Sequence, residues 1–485
     1  MLKRLSHIPA PILLIALAAA LRFVNLGSES LWYDESFTAW VSKLDFQSMI
    51  EAIRGDVHPP LSYILTWGVV RVFGDSEFAL RLIPALFGCL APVLIHRIAR
   101  AIHFERRTAL TAGLIAAVLP GLLYYSQDAR MYPELVVFVL VTVWGAVSKS
   151  GGLFLIGGVG AAYTQNYGLF YIAAISVAMF FTHHRTGGVI RVAVIAAAYL
   201  PWLPVMLSQT GDVADGFWIP SLTFPAAILP AMTNTMGTRI ADMFQIHLYG
   251  GALMATVIGI YASRRWLFRG RGLIILAAIF GAPFLAAVLS WVWKPIYLSR
   301  GLLPSAVLIA LVWAYALHHL SRGNRRVMGA ILIPALIIGV ISHYAVTGRD
   351  DWRSWVQPVR TKWEMGDVIY NTAVHTTINL GYYLQGYPYR LRPHASDLNQ
   401  SLTETTKVAM KFHQDDFDDL PAQGYRRAWL MFALNPMSRR DEKSEIARIL
   451  THYPNKRIAV KSGDYYEVAI YLVELNEGVT YGHGH

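Results

Sequence analysis

The chain has 485 residues, 55% hydrophobic and only 15% charged, against roughly 25% charged in an ordinary soluble domain. Its formal charge of +11 is carried largely in short loops between apolar runs, which argues against a nucleic-acid footprint and for membrane orientation. One cysteine, Cys89, excludes an internal disulfide and a cysteine-rich metal site.

Apolar runs of spanning length begin near Ile8, Ala79, Thr108, Tyr132, Gly151, Tyr167, Val189, His247, Gly272, Gly301 and Val327. The first, within Met1 to Val24, competes with a signal peptide, but no small-residue cleavage site precedes Arg22 to Asn25, so it reads as a span. The runs near Tyr132 and Gly151 are short. Pro59 to Gly74 is shorter than a span needs, opens on Pro59-Pro60 and contains Arg71.

Charge decides how that last segment is counted. With Pro59 to Gly74 left out, alternate loops gather Lys3 and Arg4, then Arg97, Arg100, Arg106 and Arg107, then Lys149, Arg185 and Arg191, then Arg264 to Arg271, then Arg322 to Arg326. These are the cytoplasmic loops. Pro59 to Gly74 then reads as an amphipathic helix along the outer interface. The expectation is a polytopic α-helical membrane protein with about eleven transmembrane helices. Residues 1–346 form the membrane module, with a first outer loop at 25–78, and residues 347–485 form a small extracytoplasmic α/β domain. In that domain Asp367 to Tyr370, Ala428 to Phe432, Ile458 to Val460 and Tyr465 to Leu475 read as strands, and Ser438 to Thr451 as a helix. The closing Gly482-His483-Gly484-His485 reads as a frayed tail.

On this topology the conspicuous polar groups face outside. They are Asp34 and Glu35; His58; Arg81; Asp128 and Arg130; and Lys294, Tyr297 and Arg300. Ionisable groups beside a bilayer are functional candidates by default. A carboxylate set with a cation set on one face suits a lipid-anchored substrate with an anionic head: cations hold the phosphate, and a carboxylate takes a proton. Each group also has an ordinary role. Asp34 and Glu35 make an acidic loop, Arg81 and Arg300 anchor helix ends, Asp128 and Arg130 pair, and His58 starts a helix.

The order and spacing of six segments carry a resemblance: Leu31 to Glu35, His58 to Leu61, Phe73 to Pro84, Tyr125 to Tyr132, Pro295 to Arg300 and Asp351 to Arg353. Together they resemble the polytopic glycosyltransferases of the GT-C superfold that use lipid-linked sugars. The nearest group is the protein O-mannosyltransferase and aminoarabinose-transferase relatives (glycosyltransferase family 39-like). The resemblance spans roughly the first 360 residues; the outer domain is generic. It implies interfacial helices in the first outer loop, a polyprenyl-phosphate sugar donor, and inverting transfer to a hydroxyl of a glycan, lipid or protein acceptor at the extracytoplasmic face. A bacterial inner membrane is the expected location. By position Asp34 matches the catalytic carboxylate, with Glu35 beside it, Arg81 an essential arginine, and Arg300 the basic residue at the donor phosphate. Asp128 stands where relatives often carry Glu.

The mechanism expected from this is one displacement, with Asp34 as general base and Arg300, Arg81 and Arg130 neutralising the leaving phosphate. No P-loop or dinucleotide fingerprint occurs. A divalent metal stays open, with Asp34, Glu35 and His58 as candidate ligands, although no compact ligand spacing is present. The competing class is a lipid-linked sugar transporter or flippase. It is disfavoured because no inverted hydropathy repeat is seen and the polar groups do not sit at mid-membrane.

Overall fold

The computed structural model describes residues 9–182, 185–214, 242–346, 348–372, 374–392, 413–433, 440–462 and 467–475, and, between the second and third of these, 219, 221–223, 233–237 and 239. The Gly-His-Gly-His tail and Ser438 lie outside the described residues. The chain divides into two compact units. One comprises Met1–Gly27 and Val57–Thr347, the other Ser28–Asp56 and Gly348–His485.

The first unit is helical. Five of its helices are long and apolar enough to cross a membrane: Glu77–Ala101, Gln245–Leu267, Arg271–Val292, Ser299–His319 and Arg322–Ala345. Glu77–Ala101 shows why the sequence makes such a rod. The Ser76 side chain accepts the Ala79 N–H at the start, Glu77 lies in the positive first turn, and Arg100 lies in the negative last turn. Its 25 residues extend about 37 Å, more than the ~30 Å hydrocarbon layer.

Two further pairs are broken rods, Arg106–Ala117 with Pro120–Ser126, bent by 52°, and Gly188–Tyr199 with Leu203–Gly211, bent by 71°. Pro120 removes a backbone donor and pushes Leu119 into an extended conformation, ψ 114°. Pro201 falls in the second break. The shorter apolar helices are Ala10–Phe23, Leu61–Phe73, Tyr132–Ser148, Gly151–Thr164 and Tyr167–Phe181. Leu61–Phe73, at 13 residues, is about 20 Å long and falls short of a span.

Small residues let the short helices approach closely. A Cβ at Gly145 would lie 2.3 Å from the Phe154 nitrogen, and one at Gly157 would lie 2.4 Å from the Thr142 nitrogen. Backbone therefore meets backbone between Tyr132–Ser148 and Gly151–Thr164, as in the small-residue interfaces of membrane helices.

The second unit contains a five-stranded sheet. Its strands are β1 (Asp367–Asn371), β2 (Tyr389–Leu391), β3 (Arg427–Ala433), β4 (Asn455–Ser462) and β5 (Glu467–Glu474), in the order β2-β1-β3-β5-β4. β1 runs parallel to β2 and β3, while β5 runs antiparallel to β3 and β4. The core carries Val368, Tyr370, Phe417, Leu430, Ile449 and Val473, with the Arg440–His452 helix supplying Ile446 and Ile449. Of the expected strands, the sheet extends the first three, forms the last as Glu467–Glu474 within the expected Tyr465 to Leu475, and adds β2, whose three residues are too short to show a period. Buried Asp367 is fully engaged: Trp429 Nε1–H donates to it at 2.9 Å, and Arg427 reaches it through Nε at 2.7 Å and Nη2 at 2.8 Å.

Ser28–Asp56, expected as part of the membrane module, groups by its contacts with Gly348–His485. Its bonds explain why. Tyr383 Oη accepts from Leu31 N–H at 2.7 Å, Asn379 Nδ2 donates to the Leu31 carbonyl at 2.9 Å, and Arg353 N–H donates to Ser30 Oγ at 3.1 Å.

Candidate functional site

In the second unit, Asp34 and Glu35 lie in the first turn of the Tyr33–Lys43 helix, where the exposed N–H groups favour negative charge. They are not equivalent. Glu35 is fully buried. Its Oε2 accepts Arg349 Nη1 at 2.7 Å and the Trp32 N–H at 3.3 Å, so it caps the helix and neutralises a buried arginine together. Arg349 also lies 3.7 Å from Glu29. Asp34 is half-buried and its carbonyl accepts Thr38 Oγ1 at 3.0 Å. The helix thus aligns two adjacent acids so that one is spent inward. Arg349 was missed in the sequence because it follows the last apolar run without a motif of its own.

In the first unit, the turn carrying Arg300 is pinned from two directions. Tyr167 Oη donates to the Ile296 carbonyl and accepts from Leu298 N–H, each at 2.6 Å. Asn234 Nδ2 donates to the Ser299 carbonyl at 2.5 Å. A Cβ at position 301 would sit 2.7 Å from the Tyr167 ring, so glycine is required beside Arg300. The half-buried Arg300 guanidinium lies 5.6 Å from the centre of the Tyr132 ring, a cation–π distance.

His58 joins this group. Burial, and then the nearby Arg130 and Arg300 guanidinium groups, hold its imidazole well below the ordinary 6.5. It is neutral at physiological pH, and its Nδ1 has no hydrogen-bond partner among the described residues. Arg130 Nη1 donates to Tyr63 Oη at 3.2 Å. Asp128 is buried, and its carbonyl accepts the Arg130 N–H at 2.6 Å. The structure therefore gathers His58, Asp128, Arg130 and Arg300.

Glu134, absent from the sequence-based set, belongs to the same group. It is fully buried, accepts Ser62 Oγ at 2.9 Å, and feels the charges of Arg130 and Asp128. A lone Glu inside an apolar run, two residues past the Tyr125 to Tyr132 motif, was the signal available.

Arg81 is buried too, with Nη1 donating to the Leu26 carbonyl at 3.0 Å, which ties the Glu77–Ala101 helix to the end of the first. Lys294 is half-buried before the pinned turn, and Tyr297 is within it. Burial pushes the Tyr297 hydroxyl up to about 12, so it keeps its proton and can donate to an anion. Of the candidate metal ligands, Glu35 is committed to Arg349 and Trp32. No cluster of three His, Cys, Asp or Glu side chains suited to a metal forms among the described residues.

Residues 57–207 match the family model described as dolichyl-phosphate-mannose-protein mannosyltransferase. The crystal structure of ArnT from Cupriavidus metallidurans bound to undecaprenyl phosphate superposes with a TM-score of 0.61 at 16% identity, covering 95% of this chain and 97% of that one. The chain has the GT-C fold. The apo Archaeoglobus fulgidus oligosaccharyltransferase shares the GT-C fold with a TM-score of 0.54 at 12% identity, over 87% of this chain and 69% of that one. An uncharacterized protein of Aquifex aeolicus (strain VF5) is 30% identical over 125 residues, and the chain spans 24% of the length of that relative. Apolar helices and GT-C fold together make this an integral membrane protein.

Proposed function

We propose that the protein is a glycosyltransferase that moves a sugar from a polyprenyl-phosphate donor to an acceptor hydroxyl on a glycan, lipid or protein. The observation that carries this reading is the grouping of buried Arg130 and His58 with half-buried Arg300, beside Tyr63 and Tyr132, in a helical unit of GT-C fold. Guanidinium groups match phosphate closely, because their N–H forks can make paired charge-assisted hydrogen bonds to it. The ArnT structure of the same fold holds undecaprenyl phosphate, which is consistent with a donor of that class.

The chemistry assigned is a single inverting displacement. Asp34 takes the proton of the acceptor hydroxyl as the oxygen attacks the anomeric carbon. The bond to the phosphate oxygen breaks on the opposite face, and the lipid phosphate leaves with its electron pair. Arg300 and Arg130, with Arg81, Lys294 and the protonated Tyr297, neutralise the charge that develops there. Glu35 serves by holding Asp34 in place; His58 and Asp128 set the electrostatics around Arg130 and Arg300. No step is assigned to a metal.

The topology proposed for this activity has eleven spans. The five long helices, the two bent pairs and four of the five shorter apolar helices make up that number, with Leu61–Phe73 lying along the outer interface. With a cytoplasmic N-terminus, the second unit and the active carboxylates face outside, in a bacterial inner membrane.

The test is transfer by the purified protein in nanodiscs. Asp34→Asn abolishes turnover while polyprenyl-phosphate binding stays near wild type, and Arg300→Ala weakens that binding. Full turnover by Asp34→Asn removes the base assignment.

A further inference from the structure

The second unit holds a cavity that the transfer chemistry does not use. Its volume is about 320 Å³, at the lower end of small-molecule sites (~300–1,000 Å³). Three aromatic side chains line it, Trp40, Tyr387 and Tyr389, and three polar ones share its wall, Gln385, Arg390 and His413.

The walls are prearranged. Trp40 Nε1–H donates to the Ile378 carbonyl at 3.2 Å, which fixes the indole plane. A Cβ on Gly381 would lie 2.6 Å from the indole Cζ2, so glycine is what lets the ring lie flat against the chain. Tyr387 stands edge-on to Trp363 with ring centres 4.6 Å apart. Tyr389 Oη accepts from Asn371 Nδ2 at 2.9 Å, so its hydroxyl is satisfied inside the domain. Arg390 is held by Asp415 at 2.7 Å and by the Tyr389 carbonyl at 3.0 Å. Gln385 accepts a bond from Lys43 Nζ. At the edge, Gln385 and His413 are exposed.

From this lining we infer that the second unit carries a saccharide-binding site, separate from the transfer chemistry. Sugars present apolar C–H faces and hydroxyl edges. Aromatic rings take the faces, and amide, guanidinium and imidazole groups take the edges. An acyl chain fits poorly, because it would strip water from Gln385, Arg390 and His413 without replacing their hydrogen bonds. The pairing of Arg390 with Asp415 offsets the charge of that guanidinium, so the wall admits a neutral sugar.

The site is testable with the full chain in nanodiscs and cellohexaose and maltohexaose as probes, read by saturation-transfer NMR and by titration. At least one probe binds the wild type with saturable contact to sugar C–H protons. Tyr387→Ala weakens this binding by roughly tenfold or more, the loss expected for one stacking or hydrogen-bonding partner. Gln385→Ala with His413→Ala, both at exposed positions, weakens it with the thermal unfolding midpoint unchanged. Asp34→Asn binds the probe as the wild type does, which separates this site from the transfer reading. Absence of saturable binding to both probes overturns the assignment, as does binding that survives Tyr387→Ala and the double variant alike.

Discussion

The buried Glu35–Arg349 pair gives the sharpest structural prediction. Glu35→Gln keeps the shape of the side chain and removes its charge, leaving Arg349 buried against the distant, partly exposed Glu29 at 3.7 Å. Breaking a buried pair from one side costs about 3–5 kcal/mol. Glu29 supplies some replacement, and a glutamine oxygen still accepts from Trp32 N–H, so the low end applies, about 3 kcal/mol. At a factor of ten per ~1.4 kcal/mol, local opening of the Tyr33–Lys43 helix becomes roughly a hundredfold more frequent. Hydrogen exchange followed by mass spectrometry on peptides from this helix reads that change directly, with β3 peptides as the internal reference. The double variant Glu35→Gln with Arg349→Met removes the stranded charge and exchanges no faster than the single variant, since the two sites share one interaction. An exchange rate within about threefold of wild type in the single variant would refute the claim that this pair orders the turn bearing Asp34.

Other consequences follow from the first unit. A His58 whose pKa is lowered in the fold stays neutral there, while the unfolded chain takes up a proton near 6.5. Its contribution to stability is therefore complete above that pH and is lost as pH falls through 6.5 toward the folded value. The thermal midpoint of wild type should drop more steeply than that of His58→Gln between pH 7 and pH 5; parallel curves would contradict the burial assigned to this ring. Gly145→Ala places a Cβ against the Phe154 backbone and should lower the thermal midpoint through a cost of about 1–3 kcal/mol; an unchanged midpoint would show that the helix pair can spread apart. Arg300→Ala should weaken polyprenyl-phosphate binding by roughly tenfold or more in a titration, because a charge-assisted contact is lost; unchanged affinity would remove Arg300 from the phosphate site.

What the sequence reveals follows the strength of each local signal. Long apolar runs such as Glu77–Ala101 are unmistakable because a bilayer demands length and little else. The shortness of Leu61–Phe73 was likewise carried by its length, whereas the bend at Pro120 was not anticipated in the run from Thr108. The gathering of His58, Asp128, Arg130 and Arg300 could be suspected only from shared sidedness, since the four come from three separate stretches of chain. Glu134 escaped because one acid in an apolar run has no pattern. The attachment of Ser28–Asp56 to the C-terminal residues escaped for a different reason: it rests on pairings such as Asn379 with Leu31, more than three hundred residues apart, which no periodicity encodes. For Asp34 and Glu35 the sequence shows a pair of acids, but only packing distinguishes the buried one from the half-buried one.

The proposed reaction takes a sugar from a polyprenyl phosphate with Asp34 as base. Native mass spectrometry of the lipid that copurifies with Asp34→Asn tests it most directly, run beside the wild type from the same membranes. Asp34→Asn should retain a polyprenyl-phosphate sugar, which in the wild type should be depleted or reduced to bare polyprenyl phosphate. Ordinary membrane phospholipid alone in both preparations would contradict it.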